Sequence, residues 1–499
     1  MKVVFRGRLQ ENRQKNAKKL KICAFASAIT ATVGLIFSSA FLTTSCEKSL
    51  LDPDDPVTIN VWHNYGGQMK NLMDELISEF NTTVGVDEGI IISVTAISGS
   101  SELHEMLVAA ADQVPGALPL PDITTAYPKT AAILLEQDLL TNLSTYYDQK
   151  VVDEYVPQFI EEGRLNTDGL YVFPIAKSTE LLFVNRTLFD RFAADSGFDY
   201  SDLATYEGIS AASLAYYDWT DQQTPEIPRD GKAFFMPDSL FNQALVGSRQ
   251  LGSALLKNAP AAASLDLEQE VYCRIFKNYY LPAVSHGIAL FDGYSADLFK
   301  TGDLVCSVGS TAGVLYYPDK ITYPDNTQEE ANYAFLPCPT YAGGERVALQ
   351  RGGGMCVTSS DEAKKMASAI FIKWFTEPEQ NLRFTLSSGY LPVQKAAFDQ
   401  LFELDLTTLN NKNIAEQLKI VLDMYQEYEF FYTPYAPNVD ELQKSYEQIL
   451  REQVVNGREL LAEYIQKNNG NGQSLTDYLN EITTDALAKI REERSLTDG

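Results

Sequence analysis

Between residues 57 and 135 the apolar residues switch repeatedly between a period of two and a period of 3.6, and that alternation leaves few folds open. Residues 57–62 alternate as a strand does, and Met69, Leu72, Met73, Leu76, Ile77 and Phe80 then recur at helical steps. Residues 90–97 read as a second strand, 102–112 as a helix, 122–126 as a third strand and 130–135 as the start of another helix. This order predicts parallel pairing through right-handed crossovers. Ligands of such sheets bind beyond the C-terminal strand ends. Here those ends carry Trp62 through Gly67, then Ser98 to Ser101, then Tyr127 and Pro128. Rings for apolar sugar faces, with hydroxyls and exposed N–H groups for a polar rim, suit a polyhydroxylated solute.

Residues 169–189 form the next constraint. A strand at 170–173 meets Pro174, a polar connector follows at 177–180, and a second apolar strand covers 181–184. Proline is kept out of central ladders, so Pro174 marks where one sheet ends. The connector reads either as an ordinary hairpin turn or as a crossing between two lobes, with Lys177, Ser178 and Thr179 donating into the gap. Helices are predicted at 187–194, 201–219 and 267–280, and a strand at 303–310 delivers Gly309, Ser310 and Thr311 to a loop. Residues 331–336 and 355–358 read as strands returning to the first lobe, 361–375 as a helix with Trp374 in its core face, and the tail to Gly499 as amphipathic helix.

The start of the chain reads as an address. Residues 1–21 hold eight Lys or Arg against the single acid Glu11, and residues 22–42 carry no charge. A basic n-region and an apolar h-region make an export signal. Its end, Leu42-Thr43-Thr44-Ser45-Cys46, resembles the bacterial lipoprotein signal, although Leu42 stands four residues before the cysteine and not three. That resemblance implies a signal peptide at 1–45 and lipidation at Cys46, with residues 46–56 as a flexible tether; an uncleaved membrane helix is the alternative. Either way the rest faces outside the cytoplasm. The whole chain has 40 basic and 67 acidic residues, so removing the eight and the one before Cys46 leaves a net charge of −34. Nucleic acid is thereby excluded as a partner. About 450 residues exceed one core, which predicts two lobes.

Taken in order, these segments resemble the extracellular solute-binding proteins (family 1) of bacterial ABC importers, in the branch of the sugar- and glycerol-3-phosphate-binding lipoproteins. The matching pieces are Trp62-His63 with Gly66-Gly67, Ser178-Thr179 before Asn185-Arg186, Thr301-Gly302-Asp303 before Gly309-Ser310-Thr311, Gly352-Gly353-Gly354, and Ser388-Gly389-Tyr390-Leu391-Pro392-Val393. The resemblance implies an α/β, two-lobed periplasmic-binding-protein fold (type II-like) with hinge crossings and a helical C-terminal region. The expected division is 57–168 with 331–376 in lobe 1 and 169–330 with 377–499 in lobe 2. It implies ligand contacts at Ser178, Ser310, Gly353 and Tyr390, with Trp62 near the cleft; Ser101, Tyr127 and Lys177 complete the expected set. Ser101 and Tyr127 replace residues that the glycerol-3-phosphate proteins carry, and no late arginine matches their phosphate partner, which leaves Lys177, Arg346 or Arg351 for an anion. The implied partners are a small polar solute, the transmembrane permease subunits and the membrane through the lipid anchor; the chain is expected to be monomeric.

Enzyme signatures are lacking. Ser310 sits one place early for the Gly-x-Ser-x-Gly elbow, and Val108 stands where His-Glu-x-x-His needs its second histidine. Cys273, Cys306, Cys338 and Cys356 have no metal-like spacing, so neither metal nor cofactor is expected and four buried free thiols are the simplest reading, with a bridge from Cys338 to Cys356 as the alternative. Two other functions are open: a tethered glycoside hydrolase using cleft carboxylates, and a solute-sensing domain for a signalling receptor.

Overall fold

The computed structural model describes residues 50–97, 99–258, 262–436, 438–468 and 474–497. The expected signal and Cys46 lie outside them. Its first sheet is built from β1 (Val57–His63), β2 (Ile90–Ala96), β3 (Ile123–Ala126) and β4 (Phe173–Pro174). A second sheet is built from β5 (Ser178–Asn185), β6 (Phe235–Pro237), β7 (Cys306–Ser310), β8 (Tyr333–Leu336) and β9 (Val347–Arg351). The chain then returns to the first sheet as β10 (Gly354–Val357) and ends the second with β11 (Glu429–Phe431).

In the first sheet the order is β2-β1-β3-β10-β4. β1 pairs parallel with both β2 and β3, as the strand and helix alternation predicts, whereas β10 is antiparallel to β3 and β4. Helix α1 (Gly67–Thr82) buries Met69, Met73, Leu76, Ile77 and Phe80, five of the six residues in its predicted stripe. Helix α2 (Ser100–Ala111) follows β2 and α3 (Pro128–Glu136) follows β3, each starting close to its expected place. Helix α4 (Glu362–Phe375) is capped by the Asp361 side chain accepting from Lys364 N–H, and it packs on β1. Its Trp374 is buried, edge to face with Phe80 at 5.3 Å.

In the second sheet the order is β11-β9-β5-β7-β6, with β8 also on β5. Here one expected strand takes a different place. The predicted strand at 331–336 does not return to the first lobe: β8 runs antiparallel to β5, with Tyr333 opposite Asn185 and Leu336 opposite Leu182. β5 is buried along its whole length, and β8 supplies part of that cover. The long helix α5 (Val439–Asn468) and α6 (Leu475–Thr497) pack on the helix Glu270–Val284 of this lobe.

Part of the segment expected as a tether is packed against the fold. Leu51 is buried in the main core, and the Asp52 carbonyl lies so close to Gly89 that a Cβ there would come within 2.4 Å of it. Gly89 also has φ +72°, so both its space and its backbone require glycine. The four described cysteines are free thiols, and Cys273 is half-buried where the sequence reading had all four buried.

Three crossings link the sheets: from β4 to β5 through residues 175–177, from β9 to β10 through Gly352 and Gly353, and back after α4 through the segment around Tyr390. Lys177 and Leu391 form a backbone bridge between the first and third. The crossing therefore runs through 175–177 and is no hairpin turn, while residues 178–180, expected in the polar connector, open β5.

Candidate functional site

Both sheets present strand ends to these crossings. On the first, β1 ends at His63 and leads into Asn64 and Tyr65, and β3 ends at Ala126 and leads into Tyr127. On the second, parallel β6 and β7 end at Pro237 and Ser310, β5 begins beside them at Ser178, and β9 ends beside β5 at Arg351. The chain crosses from Arg351 to Gly354 in two residues. A Cβ on Gly353 would lie 2.6 Å from the Ala126 carbonyl oxygen and 3.5 Å from Tyr127 N, so glycine lets the crossing lie against the end of β3.

A small cavity of about 20 Å³ on the first sheet's side of this junction is lined by Asn64, Tyr65, His104, Tyr127, Gly353 and Tyr390 among others. Tyr65 meets Phe384 edge to face at 5.2 Å and Tyr390 at 6.4 Å, so an aromatic wall backs the cavity. Tyr127 is 37 % exposed, yet burial of its hydroxyl raises its pKa; Arg351 opposes that rise, while Asp238, Tyr294 and Tyr316 add to it. Burial likewise raises the Tyr390 hydroxyl far above its ordinary range, with Tyr127, Tyr65 and Tyr316 contributing. Groups from both sheets thus act on the same two phenols. Tyr294 and Tyr316 are themselves 79 % and 60 % exposed, leaving their rings free to meet a ligand.

The charged part of the junction is Arg351, whose Nη1 donates to Asp238 Oδ2 at 2.6 Å and to Glu180 Oε1 at 3.2 Å. Asn242 Nδ2 also donates to Glu180 Oε1, at 2.9 Å. Burial raises the pKa of Glu180 while Arg351 and Asn242 oppose the shift.

Of the residues expected from sequence, Tyr127, Gly353 and Tyr390 line this one cavity. Ser178 and Ser310 lie at the facing sheet end and are joined to each other, Ser310 Oγ donating to Ser178 Oγ at 3.1 Å. Ser101 is exposed on the first turn of α2, next to Ser100, which does line the cavity. Lys177 donates elsewhere: its ammonium is buried against Glu162, and Thr179 bonds the Leu349 carbonyl. Trp62 packs with Ile97, Leu103 and Leu107 in a small apolar cluster under α2. Tyr65 and Asn64 belong to the strand end that the sequence singles out; Glu180 lies in the expected connector, and Asp238, Tyr294 and Tyr316 carry no motif that marks them. Asp238 follows Met236-Pro237 directly, so a strand assigned to its end would have exposed it.

His63 adds a pH-sensitive element beneath the site. It is fully buried, its Nδ1 accepts from Tyr65 N–H at 3.2 Å, and burial lowers its pKa to about 4. Protonating Nδ1 would abolish that bond. Because the folded pKa is depressed, the unfolded chain binds the proton first, so stability is lost as pH falls from about 6.5 towards 4. Urea denaturation across that window is expected to show a loss of about 3 kcal/mol that shrinks in His63→Gln. An equal loss in the variant would contradict this assignment.

Residues 75–406, more than half the chain, match the family model described as bacterial extracellular solute-binding protein. The chain belongs to that family. No curated protein sequence matches this solute-binding protein. Among solved structures it is similar to the cyclic alpha-maltosyl-1,6-maltose binding protein of Arthrobacter globiformis, at 15 % identity and TM-score 0.61 over 87 % of this chain and 99 % of that one. It is also similar to UgpB of Mycobacterium tuberculosis in complex with glycerophosphocholine, at 17 % identity and TM-score 0.61, covering 88 % and 98 %. A solute-binding protein of Agrobacterium radiobacter K84 in complex with ribitol matches at 15 % identity and TM-score 0.57, covering 88 % and 100 %. At such identities the likeness establishes the two-lobed periplasmic-binding-protein fold alone. Among the described residues, no helix is long and apolar enough to cross a membrane, and no cluster of His, Cys, Asp and Glu could hold a metal ion.

Proposed function

We propose that this chain is the monomeric, lipid-anchored capture component of an ABC importer, taking a sugar or polyol between its lobes and passing it unaltered to membrane permease subunits. The observation that supports the reading is the cavity lined by Tyr65, Tyr127, Gly353 and Tyr390 where the first sheet meets the crossings, with Arg351 at the end of β9 two residues from Gly353. Solute favours the closed arrangement because only there do groups from both lobes touch it. The anchor rests on the sequence Leu42 to Cys46, which would leave Cys46 as the lipidated first residue. Of the solutes named for the similar structures, the cyclic maltosaccharide and ribitol fall in this class, whereas glycerophosphocholine is a phosphodiester.

A thermal-shift screen of residues 46–499 against sugars, polyols and glycerophosphodiesters tests the reading, since a ligand of the folded state raises the melting temperature. A shift with a sugar or polyol and recovery of the ligand intact is expected. No shift across the panel, or conversion of an oligosaccharide to products, would overturn it. Tyr127→Ala and Tyr390→Ala should each weaken binding by about 1–3 kcal/mol if the rings stack on the solute, a range borrowed from base stacking. Calorimetric titration showing unchanged affinity in both would remove these residues from the site.

A further inference from the structure

With the cleft taken as a sugar or polyol site, the reading on which any such selectivity rests, its charge balance narrows the ligand further. An unspent cation strongly favours an anionic group, and the three that the sequence offers are all engaged. Lys177 is 2 % exposed, with Nζ 2.6 Å from Glu162 Oε2 and 3.2 Å from the Gly352 carbonyl oxygen. Arg346 pairs with Glu427 at the far end of β9, about 16 Å from Arg351 at the usual rise per residue. Arg351 does reach the junction, but two carboxylates share its guanidinium, Asp238 at 2.6 Å and Glu180 at 3.2 Å. The Asp238 side chain keeps 37 % of its surface exposed, so an approaching phosphate meets that carboxylate beside the very group it needs. Beside the Asp238 carboxylate, what the junction offers a solute is uncharged: tyrosine rings and hydroxyls, the Asn64 amide and serine hydroxyls. The free lone pairs of Asp238 accept from a polyol hydroxyl as readily as they repel an anion.

We infer that the cleft selects uncharged sugars or polyols against their phosphate esters, and that Asp238, assisted by Glu180, sets this selectivity by neutralising Arg351. Removing one carboxylate leaves Arg351 its other partner, so the fold is kept while positive charge is released into the cleft.

The test titrates residues 46–499 with matched pairs: glucose and glucose 6-phosphate, maltose and maltose 1-phosphate, ribitol and ribitol 5-phosphate, glycerol and glycerol 3-phosphate. In any pair that binds, the neutral member is expected to bind at least tenfold tighter. In Asp238→Asn that ratio should fall at least fivefold, and binding of the ester should weaken as salt is raised. Glu180→Gln should shift the ratio in the same direction. An ester that binds the native protein as tightly as its parent would overturn the selectivity while leaving the sugar site standing, as would a ratio unmoved in both variants. If Asp238→Asn does not fold, the native ratios and Glu180→Gln still decide. Silence of every neutral and phosphorylated member would overturn the sugar-site reading itself.

Discussion

Lys177→Met is expected to lower unfolding stability by about 3–5 kcal/mol, the usual cost of stranding one partner of a buried ion pair. Lys177 Nζ lies 2.6 Å from Glu162 Oε2, with the two side chains 2 % and 8 % exposed. Without the ammonium, the Glu162 carboxylate keeps, among the described residues, only the Gln350 amide as a donor. The Gly352 carbonyl, at the crossing between β9 and β10, loses its donor as well. Replacing both partners removes the buried charge, so Lys177→Met combined with Glu162→Leu should recover most of the loss. Urea unfolding of the native chain, both single variants and the double variant measures this. Single variants within about 1 kcal/mol of native would show that the pair does not hold the crossing together.

Trp62→Ala should cost about 3–5 kcal/mol of stability, the range for truncating a large aromatic side chain in a core. Trp62 is 6 % exposed and packs with Ile97, Leu103 and Leu107, so the truncation opens a cavity between β1 and α2. Solute affinity in the folded variant should be nearly native, because no part of Trp62 lines the junction. Tyr127→Ala should behave oppositely, losing affinity with little loss of stability. Chemical denaturation and calorimetry on the two variants separate the roles; a folded Trp62→Ala protein with affinity lost and stability kept would return this ring to the cleft.

Both expectations depart from the plain sequence reading, and the reasons are local. In β1 the alternation breaks down over its last three residues, Val61, Trp62 and His63, all of which are buried. Sequence period therefore cannot say which face Trp62 takes. Lys177 looks like a solvated connector residue until Glu162 is brought to it from the helix Pro157–Gly163. The destination of β8 was hidden for a similar reason, since an apolar strand carries no mark of which sheet it will join. What was legible followed from periodicity and punctuation: the alternation of the first sheet, the sheet end at Pro174, and the order of glycine and hydroxyl clusters around the crossings. Tyr127 was singled out by its place at a strand end, whereas Gly353 and Tyr390 came from the family resemblance. Asp238 and Glu180 were not singled out, because two acids among 67 carry no signal until an arginine selects them.

Hydrogen exchange of residues 46–499, with and without a saturating solute from the thermal-shift screen, tests the central claim most directly. The account predicts simultaneous protection of the backbone at residues 64–67 and 127–130 on one sheet, at 310–316 on the other, and at 352–354 and 388–391 in the crossings between them. Protection confined to one sheet end, or found instead along the exposed face of α5, would contradict it.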